Sequence, residues 1–325
     1  MNNLKKLGLT ALAGTLATTV AQAGTLSVSG SAEINYQTHG EGTSTGNPFT
    51  DNQTMTFSGS GDLDNGMTVS YSNKITGGAG TTINFTGSSV AIDMGDAGVI
   101  GLYGDNSDGA GISAYQDVIP TAGEEVWDDT GAADHGSVDE GVVDAGTNNN
   151  LGYKVSMGNL TLSTAWAKTA AGAEGSAVLV FDNLIDGLSL GAGMGETQEG
   201  DSAANKNTSD LETYFIKYSA GPVSAGIQRS EVRPTVSTGA SVAASDKVRN
   251  HYGISFAVNE NLSISAGKSD LDYGGTLLDQ TDSGISASYT MGATTVGLVH
   301  NRTEDHHGVA NDDYDVSEIK LSFAF

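Results

Sequence analysis

The strongest constraint on the fold is an alternation of apolar and polar residues with a period of two. It begins after Gly24 and continues to the end of the chain. Successive side chains of a β-strand point to opposite faces, so this period gives each strand one apolar and one polar face. The apolar members of the first run are Leu26, Val28, Ala32, Ile34 and Tyr36. The alternation predicts an all-β protein.

Runs of this kind predict about sixteen strands, and 14 or 18 remain open because strand ends are read from sequence only to within about two to four residues. The first three runs begin near Leu26, Met55 and Met67, and Asp64-Asn65-Gly66 between the last two is a hairpin signal. The other strands are predicted near 81–94, 98–104, 150–157, 160–168, 176–184, 187–195, 210–219, 222–231, 247–258, 262–270, 283–291, 294–303 and 313–325.

The connections between these strands alternate between short and long. Short turns such as 158–159 and 220–221 are followed by long loops such as 196–209, and 105–149 is the longest loop. This order is typical of an outer-membrane antiparallel barrel, which has short periplasmic turns and long outer loops. An exported sandwich or solenoid that never enters a membrane is the alternative, because it also shows a period of two.

The two faces explain why such a sheet would close in a membrane. One face carries Leu, Val, Ile, Met and aromatic residues, and the other carries Ser, Thr, Asn, Gly and charged residues. A sheet in lipid must close, because an open edge leaves N–H and C=O groups without partners. With about sixteen strands the interior is wide enough for an aqueous channel. We therefore predict a transmembrane β-barrel with a water-filled lumen.

The first 23 residues have the pattern of a cleaved secretory signal. Lys5 and Lys6 precede an uncharged apolar stretch, and Ala21-Gln22-Ala23 is a cleavage motif. An anchor helix is the alternative, but about 14 apolar residues are too few to span a bilayer. We predict that 1–23 is removed on export and that 24–325 forms the barrel.

The charge of the chain excludes one class of partner. The formal net charge is −25, and the acidic residues lie mainly between the apolar runs. Binding to phosphate backbones needs clustered Lys and Arg, so nucleic acid is not expected as a partner. The position of the acids indicates solvated loops rather than a disordered tail.

The last strand and the stretch before the longest loop carry a family resemblance. Ile319, Leu321, Phe323 and Phe325 share one face, and 99–105 reads VIGLYGD. The sequence resembles the Gram-negative outer-membrane porin family, with the alphaproteobacterial, Rhodobacter-like type as the nearest match. The resemblance implies a homotrimer of barrels in outer-membrane lipid and lipopolysaccharide. It also implies that the barrel-assembly machinery reads Phe325.

The resemblance further implies that the third loop, 105–149, folds into the lumen and forms the pore constriction; a solvated surface loop is the alternative. The acids predicted there are Asp105, Asp108, Asp117, Glu124, Glu125, Asp128 and Asp129. Five basic residues fall at polar positions of the alternation and are therefore predicted on the lumen wall: Lys74, Lys154, Lys217, Arg249 and Lys320. The first strands lack the tight Arg cluster of the family pattern, since only Lys74 lies there. The excess of acid predicts a passive channel that prefers cations.

No cofactor is expected, apart from weak Ca²⁺ binding by loop carboxylates, for which Asp105, Asp108, Asp128 and Asp129 are the candidates. Plain solvation of these acids is the alternative. The chain has no cysteine, and no Ser–His pair can be placed at a barrel rim, so an enzyme is not expected. A structural or adhesive barrel without general pore activity is the second functional hypothesis.

Overall fold

The computed structural model describes residues 24–40, 46–78, 83–104, 109–128, 149–168, 172–198, 208–235 and 246–325. These residues form one antiparallel sheet of sixteen strands. The strands are β1 (Thr25–His39), β2 (Phe49–Asp62), β3 (Thr68–Gly77), β4 (Asn84–Asp93), β5 (Val99–Tyr103), β6 (Asn150–Met157), β7 (Leu160–Lys168), β8 (Ala173–Asp182), β9 (Leu188–Gln198), β10 (Thr208–Ala220), β11 (Val223–Thr235), β12 (Lys247–Ala257), β13 (Leu262–Asp272), β14 (Gln280–Met291), β15 (Thr294–Glu304) and β16 (Tyr314–Ala324).

The sheet closes into a barrel through its first and last strands. Each strand pairs with the next in sequence, and β1 pairs with β16 from Ser31 opposite Ala324 to His39 opposite Val316. Closure gives every strand two partners, which removes the sheet edges that lipid does not tolerate. The prediction of a sixteen-stranded antiparallel barrel is confirmed, and the sandwich alternative is wrong.

The alternation of residues matches the two faces of the barrel wall. Ile216 on β10 lies opposite Ile227 on β11, and each side chain is just over half exposed on the outside. One register position away, Phe215 lies opposite Gln228, and both are buried on the inner side. Apolar side chains therefore face lipid, and the inner face is mostly polar.

Glycine permits the tight turns at the end of the barrel with short connections. Gly66 and Gly158 have φ values of +84° and +62°, and a Cβ on either would meet no other atom. The left-handed backbone, rather than crowding, therefore explains why glycine occurs in these turns. Short 3-10 turns occur at Gly95–Ala97, Ile112–Tyr115 and His306–Gly308. No helix among the described residues is long and apolar enough to cross a membrane.

Some strands extend beyond their predicted ends on the side of the long loops. β2 begins at Phe49, ahead of the predicted start near Met55, and β11 continues past 231 to Thr235. Strand pairing continues there, but the outward positions carry charged side chains such as Asp51 and Arg233, which favour water over lipid. No apolar alternation is required in that region, so the sequence pattern ends before the hydrogen-bonded ladder does.

Candidate functional site

The described part of the longest loop, residues 109–128, lies against the inner wall, and we call it the lumen segment. Its first half is held by hydrogen bonds from the backbone to polar side chains of the wall. The N–H of Gly111 donates to Ser163 Oγ at 3.0 Å, and the N–H of Ile112 donates to Ser176 Oγ at 3.0 Å. Gln228 accepts from the N–H of Val118 at 3.0 Å. These partners lie on β7, β8 and β11.

The second half of the lumen segment reaches strands much later in the chain. The N–H of Ala122 donates to Ser265 Oγ on β13 at 2.9 Å. Asn301 on β15 donates from Nδ2 to the carbonyl oxygens of Glu125 and Asp128, at 2.8 and 3.1 Å. The segment therefore runs along half of the barrel circumference and narrows the lumen from that side.

A row of glycines makes room for this path. Gly226, Gly253, Gly267 and Gly284 lie directly opposite one another on four consecutive strands, from β11 to β14. A Cβ on Gly253 would lie 2.4 Å from a carbon of Ile119, and a Cβ on Gly267 would lie 2.9 Å from a carbon of Val126. Larger residues in this row would displace the segment from the wall.

Apolar residues fix the start of the segment. Ile112 is fully buried against Val178, Val180, Leu211 and Phe215, all of which point inward. Apolar side chains on the inner face would be unfavourable in an open aqueous lumen. Burial beneath Ile112 therefore explains why the alternation of β8 is interrupted, with Val178 to Phe181 apolar on both faces.

A buried charge fixes the end of the segment. The guanidinium of Arg249 on β12 lies 4.5 Å from the ring centre of Trp127, and its Nη1 is 2.9 Å from Asp282 and 2.7 Å from Ser269. The side chains of Arg249 and Asp282 are 2% and 0% exposed. Their charges compensate each other, and Trp127 separates Arg249 from the aqueous lumen.

The acids of the segment are only partly compensated. Glu124 forms an ion pair with Lys320 on β16. Asp117 Oδ1 lies 3.5 Å from His251 Nδ1. Glu125 is hydrogen-bonded to both Asp117 and Asp128 through its carboxyl group. The lumen segment thus groups four acids, with one lysine as their direct counter-ion among the described residues.

The grouping of carboxyls changes the acidity of Glu125. Its pKa is raised from 4.5 to about 7, mainly by burial and in addition by the hydrogen bond to Asp117. Because the folded loop favours the protonated form, this proton stabilises the fold fully below about pH 4.5. The contribution is lost as the pH rises to about 7.

We therefore expect the unfolding temperature of the barrel to fall as the pH rises from about 4.5 to about 7, with a loss of up to about 3 kcal/mol in the free energy of unfolding. Glu125→Gln should remove this pH dependence. Thermal unfolding followed by circular dichroism in detergent measures it. Glu260→Gln, in the exposed turn between β12 and β13, is the control, and an equal flattening in both variants would contradict the assignment to Glu125.

Among the described residues, the remaining predicted bases form no ion pair with the lumen segment's acids. Lys74 points inward from β3, which is diametrically opposite β11 in the ring of sixteen strands. In the described part of the chain it makes no ion pair. Lys154 and Lys217 point inward from β6 and β10 and line a cavity of about 190 Å³. The inner face near Lys74 is rich in hydroxyl groups, such as Ser58 opposite Ser72.

Three predicted residues, Asp105, Asp108 and Asp129, lie outside the described residues. The described part of the chain contains no group of three acidic or histidine side chains placed to hold a metal ion. Calcium binding by Asp105, Asp108, Asp128 and Asp129 stays a prediction. The residues that hold the lumen segment, above all Trp127, Asp282 and Asn301, were not predicted. Asp282 and Asn301 fall at inward-facing positions of the strand alternation, and this was the signal in the sequence from which these two could have been predicted.

A closed barrel with a loop folded along its inner wall is also the arrangement that the family resemblance implies. The family model of the Gram-negative porins matches residues 8–325 of the chain. The chain belongs to the Gram-negative porin family. This porin therefore forms an outer-membrane channel for passive diffusion, and it is not an enzyme.

Solved structures share the fold of this porin at low sequence identity. A mutant porin of Rh. blastica is 14% identical and has a TM-score of 0.62, with 92% of this chain and 100% of that chain covered. Salmonella typhi OmpF in complex with daunomycin is 14% identical and has a TM-score of 0.66, with coverage of 93% and 98%. The trimer form of Vibrio cholerae OmpT is 8% identical and has a TM-score of 0.69, with coverage of 93% and 100%. No curated protein gave a significant match.

Proposed function

We propose that this porin prefers cations and that its constriction is bounded by the lumen segment on one side and the β3 wall on the other. The observation that supports this most directly is the charge balance of the segment. Its acids are Asp117, Glu124, Glu125 and Asp128. Among the described residues, Lys320 is paired with Glu124, and the charge of Arg249 is cancelled by Asp282. A narrow passage in which acidic side chains outnumber basic ones attracts cations and repels anions.

The remaining predicted residues enter this proposal in two ways. Asp105, Asp108 and Asp129 add negative charge to the same loop in the sequence. Lys74, Lys154, Lys217 and Lys320 supply positive charge on the wall, but Lys320 is already paired with Glu124 and with Glu318, the latter at 3.5 Å. The predicted acids therefore outnumber the predicted bases that are free to offset them, and we expect a negative electrostatic potential in the constriction.

The reversal potential across a planar bilayer with a KCl gradient tests this preference. We expect a potential whose sign corresponds to K⁺ passing more readily than Cl⁻. A potential of the opposite sign would overturn the cation preference. It would leave the channel activity of the family untouched, because conductance is measured in the same experiment.

We further propose that the porin assembles as a homotrimer through the outer face of β1–β3. This face has a hollow of about 910 Å³, in which small and polar residues such as Gly30, Ala32 and Gln53 lie between larger apolar side chains such as Met55 and Ile75. Asn73 points outward near the middle of β3, and its Oδ1 is buried without a hydrogen-bond partner among the described residues. Polar groups facing lipid are unfavourable, so contact with a neighbouring barrel is the better environment for this face.

Chemical cross-linking of unheated protein in detergent should give trimers, and monomers alone would contradict this.

The chain ends are part of the same proposal. Residues 1–23 act as a cleaved export signal, and Phe325 is the signal for the barrel-assembly machinery. In support, Phe325 exchanges two backbone hydrogen bonds with Gly30, both 2.9 Å, so it lies at the seam where the barrel closes. Its side chain is 59% exposed on the outside. Deletion of Phe325 is expected to reduce the amount of folded protein in outer membranes.

Outer-membrane lipid and lipopolysaccharide are the proposed surroundings of the barrel. On the outer face near the long loops, Arg233 is ion-paired with Glu212 and Glu231, and Arg229 lies 3.4 Å from Glu231. A band of mixed charge at this height suits the phosphorylated head groups of lipopolysaccharide and their counter-ions. No cofactor is required for diffusion. Calorimetry with millimolar Ca²⁺ tests the weak loop binding predicted from the sequence.

A further inference from the structure

The cavity lined by Lys154 and Lys217 lies on the periplasmic side of the lumen segment. Lys154 and Thr161 flank the short turn at 158–159, and Asp182 and Ser189 flank the short turn that contains 183–187. Short turns face the periplasm in outer-membrane barrels. The cavity of about 190 Å³ is therefore reached from the periplasmic mouth of the channel.

The polar lining of this cavity has a charge opposite to that of the chain. Lys154 and Lys217 come from β6 and β10, which are not neighbours in the sheet, yet both line the same space. Neither lysine forms an ion pair within the residues that the structure describes. Asp182 is the acid of this lining, and it accepts a hydrogen bond from Ser189. The site therefore carries one net positive charge in a protein with a formal net charge of −25.

The rest of the lining is apolar. Val180 and Phe215 form one wall, and the ring of Tyr115 from the lumen segment is stacked on Phe215 with ring centres 6.1 Å apart. Burial raises the pKa of the Tyr115 phenol, and the charge of Asp182 raises it further, so this hydroxyl remains a neutral donor. An apolar wall beside two ammonium groups and one carboxylate matches a solute that carries both charges and an apolar group.

We propose that this cavity is a subsite for zwitterionic amino acids with an apolar side chain. Lys154 and Lys217 bind the carboxylate of the solute, and Asp182 binds its ammonium group. The side chain of the solute packs on Tyr115 and Val118, which are partly buried and line the same cavity beside Val180 and Phe215. The proposal rests on the function of the protein as a diffusion channel, and it names one class of solute that the channel would retain briefly on its way through.

Single-channel recording of the refolded porin in KCl, with L-leucine added on the periplasmic side, tests the proposal. Leucine should reduce or interrupt the current in a concentration-dependent way. Three related probes each lack one recognised feature: glycine has no side chain, leucine amide has no carboxylate, and N-acetyl-leucine has no ammonium group. Each should act at least about tenfold more weakly, since loss of one charge-assisted contact or of a buried apolar group changes affinity by about that factor.

The variants separate this subsite from the pore itself. The double variant Lys154→Gln/Lys217→Gln should weaken the leucine effect at least about tenfold. Asp182→Asn should weaken binding of leucine but not of N-acetyl-leucine. The matched control is Lys168→Gln/Lys268→Gln, two lysines on the outer face, which should leave the leucine effect unchanged. Heat-modifiable gel mobility shows whether each variant has folded.

Two results would overturn the subsite. One is a leucine effect that is equal in the double variant and the control. The other is an effect of inorganic phosphate as strong as that of leucine, which would indicate a simple anion site. In either case the KCl conductance without leucine still reports on the channel, so failure of the subsite is distinguishable from failure of the channel function.

Discussion

Replacing Arg249 with methionine should lower the free energy of unfolding of the barrel by about 3–5 kcal/mol, because it leaves a buried carboxylate without its counter-ion. Asp282 is fully buried, and its other contacts are neutral donors: Gln280 Nε2 at 2.9 Å and Thr303 Oγ1 at 2.7 Å. The same change removes the cation–π contact with Trp127. The lumen segment should therefore loosen together with the wall. Urea unfolding in detergent, followed by tryptophan fluorescence, measures both effects.

Two further variants separate the buried pair from a general loss of charge. Removing both partners, as in Arg249→Met/Asp282→Leu, should recover most of the stability, because no charge remains buried alone. Arg302→Met removes a cation whose side chain is 44% exposed, and it should cost less than about 1 kcal/mol. A single Arg249 variant as stable as the Arg302 variant would show that the buried pair does not hold the segment.

Neutralising the acids of the lumen segment should remove most of the preference for cations. The triple variant Asp117→Asn/Glu124→Gln/Asp128→Asn leaves Lys320 without its acidic partner in the segment. The permeability ratio of K⁺ to Cl⁻ should therefore fall by roughly threefold or more, since fixed charge near a narrow passage sets the local ion concentrations. Reversal potentials in a KCl gradient measure the ratio.

An outward-facing triple variant provides the control for selectivity. Asp210, Asp270 and Glu304 lie on the outer face near the long loops, and their replacement by the matching amides removes the same number of charges. Because these residues do not line the lumen, the permeability ratio should remain that of the unchanged protein. Equal shifts in both triple variants would indicate that the net charge of the whole protein, rather than the lumen segment, sets the selectivity.

Most of the barrel could be predicted from the sequence because each strand contacts two different solvents. Lipid outside and water inside impose a period of two, so an antiparallel barrel of about sixteen strands follows from the alternation, with 14 or 18 strands left open. The strand ends were less accurate. At β2 and β11 the ladder continues above the lipid, where water on both faces removes the constraint that produces the pattern.

The path of the longest loop could not be read in the same way. The alternation in the sequence assigns Arg249 and Lys320 to the inner face, but it does not show which inner residues become covered. Val178 and Arg249 are buried because Ile112 and Trp127 pack on them, and these are contacts between residues far apart in the chain. The row of glycines from Gly226 to Gly284 was visible in the sequence. Only the register between strands β11 and β14 shows that these glycines lie side by side and make room for the loop.

Single-channel conductance of the refolded protein in planar bilayers is the most direct test of a hollow, closed barrel narrowed by residues 109–128. We expect discrete upward steps of uniform size. The triple neutralisation should change ion selectivity while steps of this kind persist. Folded protein that inserts into the bilayer and produces no conductance steps would contradict a water-filled lumen, and with it the function as a diffusion channel.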